Sequence, residues 1–323
     1  MAGVLVLGGL SEGRFDRAML QVAGAAAPLA AALGEPLMGA LIGAGLDTAA
    51  QEFQCGQTAL YLAEGGHLDR YDTEATVQAA LAVIEASGAH VVLVAHGGAV
   101  REWVPTLAAR LQAALVMNCC ALDLEDGVLV ATKPVNGGSV LARFAMSGSP
   151  VLVTVRASDF APQALGAPGE VLRLPLAAPA SQRVSVLSEE LAGAVGGPRL
   201  KEAKLIVSGG RGVGSPDNWH HITAAAAALG AAVGCSRPVA DSGWVASSHQ
   251  VGLSGTTVAP DLYIAVGISG APQHLAGITA AKTVVAINNS ADAEIFKRAD
   301  LGVVGDYQEV LQGFVERVRQ LRS

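Results

Sequence analysis

The stretch that most limits what this chain can fold into is residues 261–289, DLYIAVGISGAPQHLAGITAAKTVVAINN. Residues 262–266 are a short unbroken apolar run of the kind found in a strand buried on both faces, and the run stops at Gly267-Ile268-Ser269-Gly270. Pro272 then suits the first turn of a short helix, where its missing N–H had no partner to lose. A second apolar run, residues 283–287, follows at crossover distance. Two such strands with a helix between them make a parallel βαβ unit, with a glycine loop where the first strand meets the helix. Glycines there admit close approach of backbone to a ligand, and the loop N–H groups with the helix dipole favour a phosphate. A glycine loop alone does not choose among nucleotides.

The chain has room for more than this unit, since 323 residues suggest two domains, each able to bury its own core. Apolar residues make up 51% and aromatic residues 4%, with 39 glycines, which suits close helix-on-sheet packing in an α/β protein. A net charge of −7 without a local basic cluster argues against nucleic acid as a partner. The longest weakly polar stretch, residues 23–46, carries Pro28, Glu35 and Pro36 and would make a poor membrane span, so no membrane insertion is expected. Residues 4–7 already read as a strand, with no basic region before them and no cleavage pattern after, so no secretory or transit signal is expected and the cytoplasm is the expected location. Cys55, Cys119, Cys120 and Cys235 form no CxxC pair and read as small, reduced side chains. No spacing of His, Cys or carboxylates suggests a metal site.

Along the first half, residues 4–7 open as a strand, residues 14–33 contain a helix broken near Pro28, and residues 37–42 make the next strand. Residues 71–87 carry a helical pattern capped by Asp72 or Thr73, residues 91–95 a buried strand, and residues 100–111 a helix. Strands near residues 128–131, 140–144 and 151–155 complete a parallel-rich α/β sheet that ends in antiparallel additions. His96-Gly97-Gly98 invites an active-loop reading, but no serine nucleophile or second histidine stands at triad-like spacing. The loop is therefore read as a structural turn, and no catalytic residue is assigned. Gly196-Gly197-Pro198 is the sharpest break and divides the chain into domains 1–198 and 199–323.

The second half opens with a strand at Lys204 that ends in Ser208-Gly209-Gly210-Arg211-Gly212-Val213-Gly214. The third glycine of a Rossmann fingerprint would fall at Ser215, so that fingerprint is not met. The loop still leads into a helix from near Asp217 through residues 224–228, and Arg211 projects from it as a guanidinium suited to a pyrophosphate. Asp306 opens the last helix, with Glu309 at capping-box spacing and Val310, Leu311, Phe314, Val315 and Val318 along one face. Trp219, His220, His221 and Trp244 are given no function.

Leu262-Tyr263, Gly267 to Gly270, Gln273-His274, Lys282-Thr283 and Ala286-Ile287-Asn288 together resemble the signature of the electron transfer flavoprotein alpha subunit, with Pro272 standing where that family usually has isoleucine or valine. Val233-Gly234-Cys235-Ser236-Arg237-Pro238 and Gln250-Val251-Gly252-Leu253-Ser254-Gly255 resemble family segments that wrap FAD, and residues 110–114 with 133–138 resemble part of its N-terminal half. The resemblance implies a Rossmann-like, doubly wound FAD-binding domain following an N-terminal parallel-rich α/β domain used for scaffolding and docking. It further implies that Ser236 contacts the cofactor, Arg237 lies by the pyrimidine edge of the flavin, His274 donates to ring O2 and Ser254 addresses N5. Val251, Gly252 and Leu253 belong to the same wrapping segment. Arg211 with Gly267, Ile268, Ser269 and Gly270 would hold phosphates, the binding run continuing through Ala271, Pro272 and Gln273. Asn288, Asp306 and Tyr307 would lie near the adenosine.

The departures are specific. Leu253, Ser254 and Thr256 replace Gln, Thr and Lys, so a hydroxyl is kept for N5 while Leu253 cannot hydrogen-bond. Asn289, Ser290 and Ala291 replace Lys-Asp-Pro, and Tyr307 replaces a leucine. The implied partners are a beta subunit in a heterodimer, flavin dehydrogenases such as acyl-CoA dehydrogenases as donors, and a quinone oxidoreductase or other acceptor. The implied role is electron carriage rather than chemistry on a substrate of its own. Three alternatives stand beside it: the alpha subunit of an electron-bifurcating complex, an NAD(P)-binding domain of a transhydrogenase-like enzyme, and a non-redox adenine-nucleotide sensor.

Overall fold

The computed structural model describes residues 3–11, 13–138, 140–164, 166, 169–176, 184, 200 and 203–322. The chain divides into two compact units, Met1–Leu187 and Ser188–Ser323. The expected break at Gly196-Gly197-Pro198 lies outside the described residues.

In the first unit the chain runs β1 (Val4–Ser11), β2 (Arg14–Phe15), α1 (Ala18–Leu33), β3 (Leu37–Gly43), α2 (Asp47–Glu52), β4 (Ala59–Glu64), α3 (Thr73–Ser87), β5 (Val91–Ala95), α4 (Val100–Leu111) and β6 (Ala114–Cys119). It continues through β7 (Ala121–Glu125), β8 (Val128–Val135), β9 (Val140–Ala145), β10 (Val151–Val155) and β11 (Glu170–Pro175). Among the described residues the main sheet has the order β11, β4, β3, β1, β5, β10, β6, parallel at every one of these pairings, with β2 antiparallel to β1. Both faces are buried, and alternate residues divide between them. Val4, Val6, Leu93 and Val153 join Met19, Val22, Ala26 and Leu29 of α1. Leu5, Leu7, Val92, Val94 and Leu152 join Val77 and Val83 of α3 and Trp103, Val104 and Leu107 of α4.

Two expectations change here, and a third is narrowed to one of its two alternatives. Helix α1 runs through Pro28 without a break: the proline removes one N–H donor, but burial of Val22, Ala26, Leu29 and Ala30 holds the turn. The antiparallel additions, β7, β8 and β9, form a sheet of their own, whereas β10 returns to the middle of the parallel sheet. Of the two caps considered for α3, Asp72 is the one used, its Oδ1 accepting from Ala75 N at 2.8 Å. His96 is held as a turn residue, its N–H donating to Val155 O at 2.7 Å and its Nδ1 lying 2.8 Å from Thr154 Oγ1. Burial, with Arg101, Arg156 and Lys133 adding to it, pulls its pKa down to about 4.

The second unit contains β12 (Leu205–Gly209), α5 (Trp219–Leu229), β13 (Ala232–Cys235), α6 (Arg237–Asp241), β14 (Leu262–Val266), α7 (Pro272–Leu275), β15 (Thr283–Asn288), β16 (Leu301–Val304) and α8 (Tyr307–Arg322). Its strands lie in the order β13, β12, β14, β15, β16, all parallel, which in chain order is 2-1-3-4-5, a doubly wound arrangement. The βαβ unit expected from the sequence is β14, α7 and β15, with α7 only one turn long. One face of the sheet packs on α5 and α8 through Trp219, Ile222, Ala226, Leu229 and Leu311. The other face, with Ile206, Tyr263, Ala265, Val284 and Ala286, is covered by irregular segments carrying Val251, Val258, Ile268, Ile278 and Ile295. On α8 the expected apolar stripe is narrower than its sequence pattern, because Leu311 is buried while Phe314 is exposed.

Among the described residues, no helix is long and apolar enough to cross a membrane, and no cluster of His, Cys, Asp or Glu could hold a metal. All four cysteines are free, and burial raises the thiol pKa of Cys55 to about 11 and those of Cys119 and Cys235 to about 12.

Candidate functional site

A 2-1-3-4-5 sheet reverses its winding between its first and third strands, and open α/β sheets bind ligands beyond the carboxyl ends of their strands at that point. Here the reversal lies between β12 and β14, whose carboxyl ends run into the loops at residues 210–214 and 267–271. The two loops pack directly on each other. Gly210 N donates to Val266 O at 2.8 Å and Gly212 N to Gly267 O at 3.0 Å. A Cβ on Gly210 would stand 2.3 Å from the Gly267 carbonyl oxygen, and one on Gly212 would stand 2.7 Å from the same atom. Gly267 itself has φ +60°, a left-handed conformation that favours glycine. These glycines are therefore required by contact between loops, a reason invisible in a sequence that offers them to a ligand.

In front of the loops lies a cavity of about 540 Å³, within the usual size of a small-molecule site. Its walls include Arg211, Ser236, Arg237, Val251, Gly252, Leu253, Ser254, Gly267, Ile268, Ser269, Ala271, Gln273, His274 and Asn288. Gly212, Pro238, Gln250, Ser290 and Ala293 complete them; Pro238 and Gln250 belong to the segments that resemble the FAD-wrapping ones, whereas Gly212, Ser290 and Ala293 are not expected from the sequence as binding residues. Four expected binding residues do not line the cavity. Gly270 backs onto another stretch of chain, where a Cβ would meet Ile295 N at 2.2 Å. Pro272 opens α7 on the exposed side. Asp306 caps α8, with Oδ1 accepting from Gln308 N at 2.8 Å, and the Tyr307 hydroxyl donates to Val213 O at 3.1 Å. The Lys282-Thr283 pair of the signature marks the opposite end of the sheet, where Lys282 Nζ pairs with Asp261 Oδ1 at 2.7 Å.

The wall has its own hydrogen-bonded support. Gln250 is buried and its Nε2 donates to Ser254 Oγ at 2.9 Å, so the serine oxygen is already an acceptor and its O–H proton stays free to be given elsewhere. The residues around Ser254 form a tight loop: Val251 N donates to Cys235 O at 2.9 Å, Thr256 N to Gln250 O at 2.8 Å, and Leu253 N to Gln273 O at 2.8 Å. Asn288 bridges two segments, its Nδ2 donating to Ile268 O at 2.9 Å and its Oδ1 accepting from Ser290 N at 3.0 Å. Among the described residues, the N–H groups of Ser269, Gly270 and Ala271 have no acceptor, so the phosphate-suited donors are those of the loop itself. The single turn of α7 adds little dipole.

The two polar extremes of the cavity differ sharply. His274 is buried, with Nε2 3.0 Å from the Tyr263 hydroxyl, and among the described residues Nδ1 has no partner in hydrogen-bonding geometry, although the Val251 backbone lies near the ring. Burial draws the imidazole pKa down to about 4, the Val251 backbone opposing in part, so the ring is neutral at ordinary pH. Arg237, by contrast, is 65% exposed and its Nε pairs with Asp241 Oδ2 at 3.2 Å one turn on. The cavity thus offers a neutral buried ring, a free hydroxyl proton, loop N–H groups and two arginines.

Comparison with known proteins fits these features closely. The family described as "Electron transfer flavoprotein domain" matches residues 4–181, and that described as "Electron transfer flavoprotein FAD-binding domain" matches residues 199–279. The electron transfer flavoprotein subunit alpha of Mycobacterium leprae is 36% identical over 323 residues, covering 99% of each chain. That of Thermoanaerobacterium thermosaccharolyticum is 36% identical over 319 residues and that of Bacillus subtilis 34% over 321, covering 96% and 98% of each chain respectively. The chain belongs to the electron transfer flavoprotein alpha-subunit family. The span matched as FAD-binding domain runs from before β12 to just past α7, and so contains both glycine loops and the Gln250 to Ser254 loop of this alpha-subunit relative. Asn288, Ser290 and Ala293 close the cavity from beyond that span.

Proposed function

We propose that the second unit holds one FAD in the cavity at its switch point and that the chain carries electrons as the alpha half of a heterodimer with a beta subunit. In this reading a flavin dehydrogenase, of which acyl-CoA dehydrogenases are one class, donates electrons, and a quinone oxidoreductase or another acceptor receives them, in the cytoplasm. The observation that carries it is His274, with a buried Nδ1 that has no partner in hydrogen-bonding geometry, lining a cavity also walled by Arg211, Ser254 and the loop after β14. A buried polar atom without a partner is costly, and a ring carrying carbonyl and nitrogen acceptors satisfies it.

The residues present fit the cofactor. Bound FAD would supply reversible one- and two-electron chemistry, so no side chain has to act on a substrate. Ser254, accepting from Gln250, has its own proton to give to ring N5. His274 supplies a neutral contact to O2, and Ser236 and Arg237 stand on the same wall, where the arginine puts positive charge toward the pyrimidine edge. Arg211 and the N–H groups of residues 268–271 suit the pyrophosphate. Asn288 is assigned to the adenosine end, with Asp306 and Tyr307 beyond the cavity. Leu253 contributes apolar cover, since its backbone N–H is engaged by Gln273. The test is to co-express the full chain with the beta subunit, purify the complex and extract its cofactor. One FAD per complex attributable to this chain is expected, whereas AMP or NAD without FAD would overturn the proposal.

A further inference from the structure

Tyr263 is the largest fully buried side chain among the described residues. It projects from the second position of β14 into the sheet face that the irregular segments cover, and there its hydroxyl comes to 3.0 Å from Nε2 of His274, eleven residues further along the chain. The contact joins the core of the sheet to the cavity wall, because His274 lines the cavity and Tyr263 does not. Ser208 Oγ, also buried on the neighbouring strand, lies close enough to oppose in part the rise that burial gives the phenol pKa, but it reaches no hydrogen-bonding geometry, so the acceptor properly placed for the phenol proton is Nε2 at 3.0 Å.

A neutral imidazole has one N–H and one bare nitrogen, and the hydrogen bond at one nitrogen selects which is which. If Nε2 carried the proton, it would donate to the phenol oxygen, the phenol proton would be left without a bonded acceptor, and Nδ1 would be a bare lone pair. If the phenol donates, Nε2 is the bare nitrogen and Nδ1 carries the proton. Only the second arrangement satisfies the tyrosine, and it turns the unpartnered nitrogen into a donor.

We infer that Tyr263 is a positioning residue: its hydroxyl donates to Nε2 of His274, fixes the neutral ring in the tautomer protonated on Nδ1, and thereby presents an N–H to a carbonyl oxygen of the ring bound in the cavity. The inference rests on the FAD reading above. It assigns to a residue outside the cavity the choice between donor and acceptor on the cavity wall. A donor there favours the form of the bound ring that carries more negative charge on that oxygen.

The test uses the full chain in complex with its beta subunit, prepared with ¹⁵N-labelled histidine. Two-bond ¹⁵N–¹H correlations distinguish the tautomers, and the His274 signals are identified by their loss in His274→Asn. The wild-type complex is expected to show Nδ1 protonated and Nε2 bare. Tyr263→Phe keeps the buried ring and removes only the hydroxyl. It is expected to release that tautomer and to weaken the preference for reduced flavin roughly three- to tenfold, with FAD still bound. A wild-type signal showing Nε2 protonated overturns the inference even if the variant cannot be prepared. So does a Tyr263→Phe complex with the same tautomer and midpoint potential as wild type. A complex that carries no FAD refutes the functional reading and this inference with it, whereas FAD bound beside either of the other results refutes the inference alone.

Discussion

If Arg237 stands by the flavin, removing its charge should lower the flavin potential, because a cation stabilises the negative charge that reduction brings. A charge-assisted hydrogen bond in a protected site contributes about 1.5–3 kcal/mol, or about 60–130 mV for a one-electron couple. The structure argues for much less. The arginine side chain is 65% exposed, and its Nε is already paired with Asp241 at 3.2 Å, so both solvent and a carboxylate screen it. Exposed ion pairs contribute about 0.2–1 kcal/mol, which converts to about 10–40 mV. Arg237→Ala should therefore lower the midpoint potential by an amount in that range. Asp241→Asn should raise it by the same order, because it leaves the guanidinium uncompensated. Both shifts should shrink in high salt. Spectroelectrochemical titration of the flavin-loaded heterodimer, at low and high ionic strength, measures all four values. Shifts of the same sign from the two variants, or no shift beyond reproducibility in either, would refute the placement of Arg237 beside the ring.

His274 gives an acid-stability prediction: its folded-state pKa is about 4 against 6.5, so the unfolded chain binds the proton first as pH falls and stability is lost between those values. Going from pH 7 to pH 5 should cost about 2 kcal/mol, and urea unfolding should show that slope missing in His274→Asn. His96, also drawn down to about 4 but more exposed, should add a smaller loss of the same sign in the first unit. Gly210→Ala places a methyl 2.3 Å from the Gly267 carbonyl oxygen; about 1–3 kcal/mol of destabilisation is expected, with FAD lost on gel filtration, and full retention at wild-type stability would contradict the loop-on-loop account. Leu253→Gln should leave FAD content unchanged, since the backbone N–H of this residue is what holds the loop, and should raise the potential by about 20–65 mV if its amide reaches the ring. A drop in FAD content would show that the leucine side chain is itself needed.

Much of this architecture is written in local patterns. Strands β5 and β14 begin and end where their apolar runs do, and Asp72 caps α3 because its carboxylate can reach Ala75 N within one turn. What escaped is what depends on distant partners. The strands β4 and β11 are not marked in the sequence: β4 is placed between β3 and β11 by pairing with both, and β11 is placed at the sheet edge by pairing its residues 170–175 with residues 59–64. Helix α1 survives Pro28 because the sheet buries its neighbours, which local propensity does not register. Arg237 and Asp241 stand at i, i+4 spacing, which brings them together only because the chain is helical there, and only the structure shows Arg237 sharing a wall with His274. The bonds from Gln250 to Ser254 and between Tyr263 and His274 link polar groups whose sequence spacing has no meaning until the loops fold over the sheet.

The same reasoning explains why the chain still forms the cavity with its departures at Pro272, Leu253 and residues 289–291. One face of the second sheet is covered by loops rather than helices, and those loops are laced together by backbone. Leu253 N reaches Gln273 O, Val258 N reaches Gly277 O, and Ile295 N reaches Ser269 O at 2.8, 2.9 and 3.1 Å. A Cβ on Gly277 would fall 2.5 Å from Gly252 Cα, so two further loops touch through glycine. In such a frame a side chain can change wherever its residue contributes only an N–H or a carbonyl, and leucine provides the 253 N–H as well as glutamine would. Side chains are constrained at Gly210, Gly252, Gly267, Gly270 and Gly277, where a Cβ would meet backbone at 3.0 Å or less. They are constrained again at Gln250, Tyr263, His274 and Asn288, where a buried polar group needs its partner. If a ring occupies the cavity as proposed, the wall positions outside that frame include Arg237 and Leu253, whose side chains can differ without unmaking the cavity.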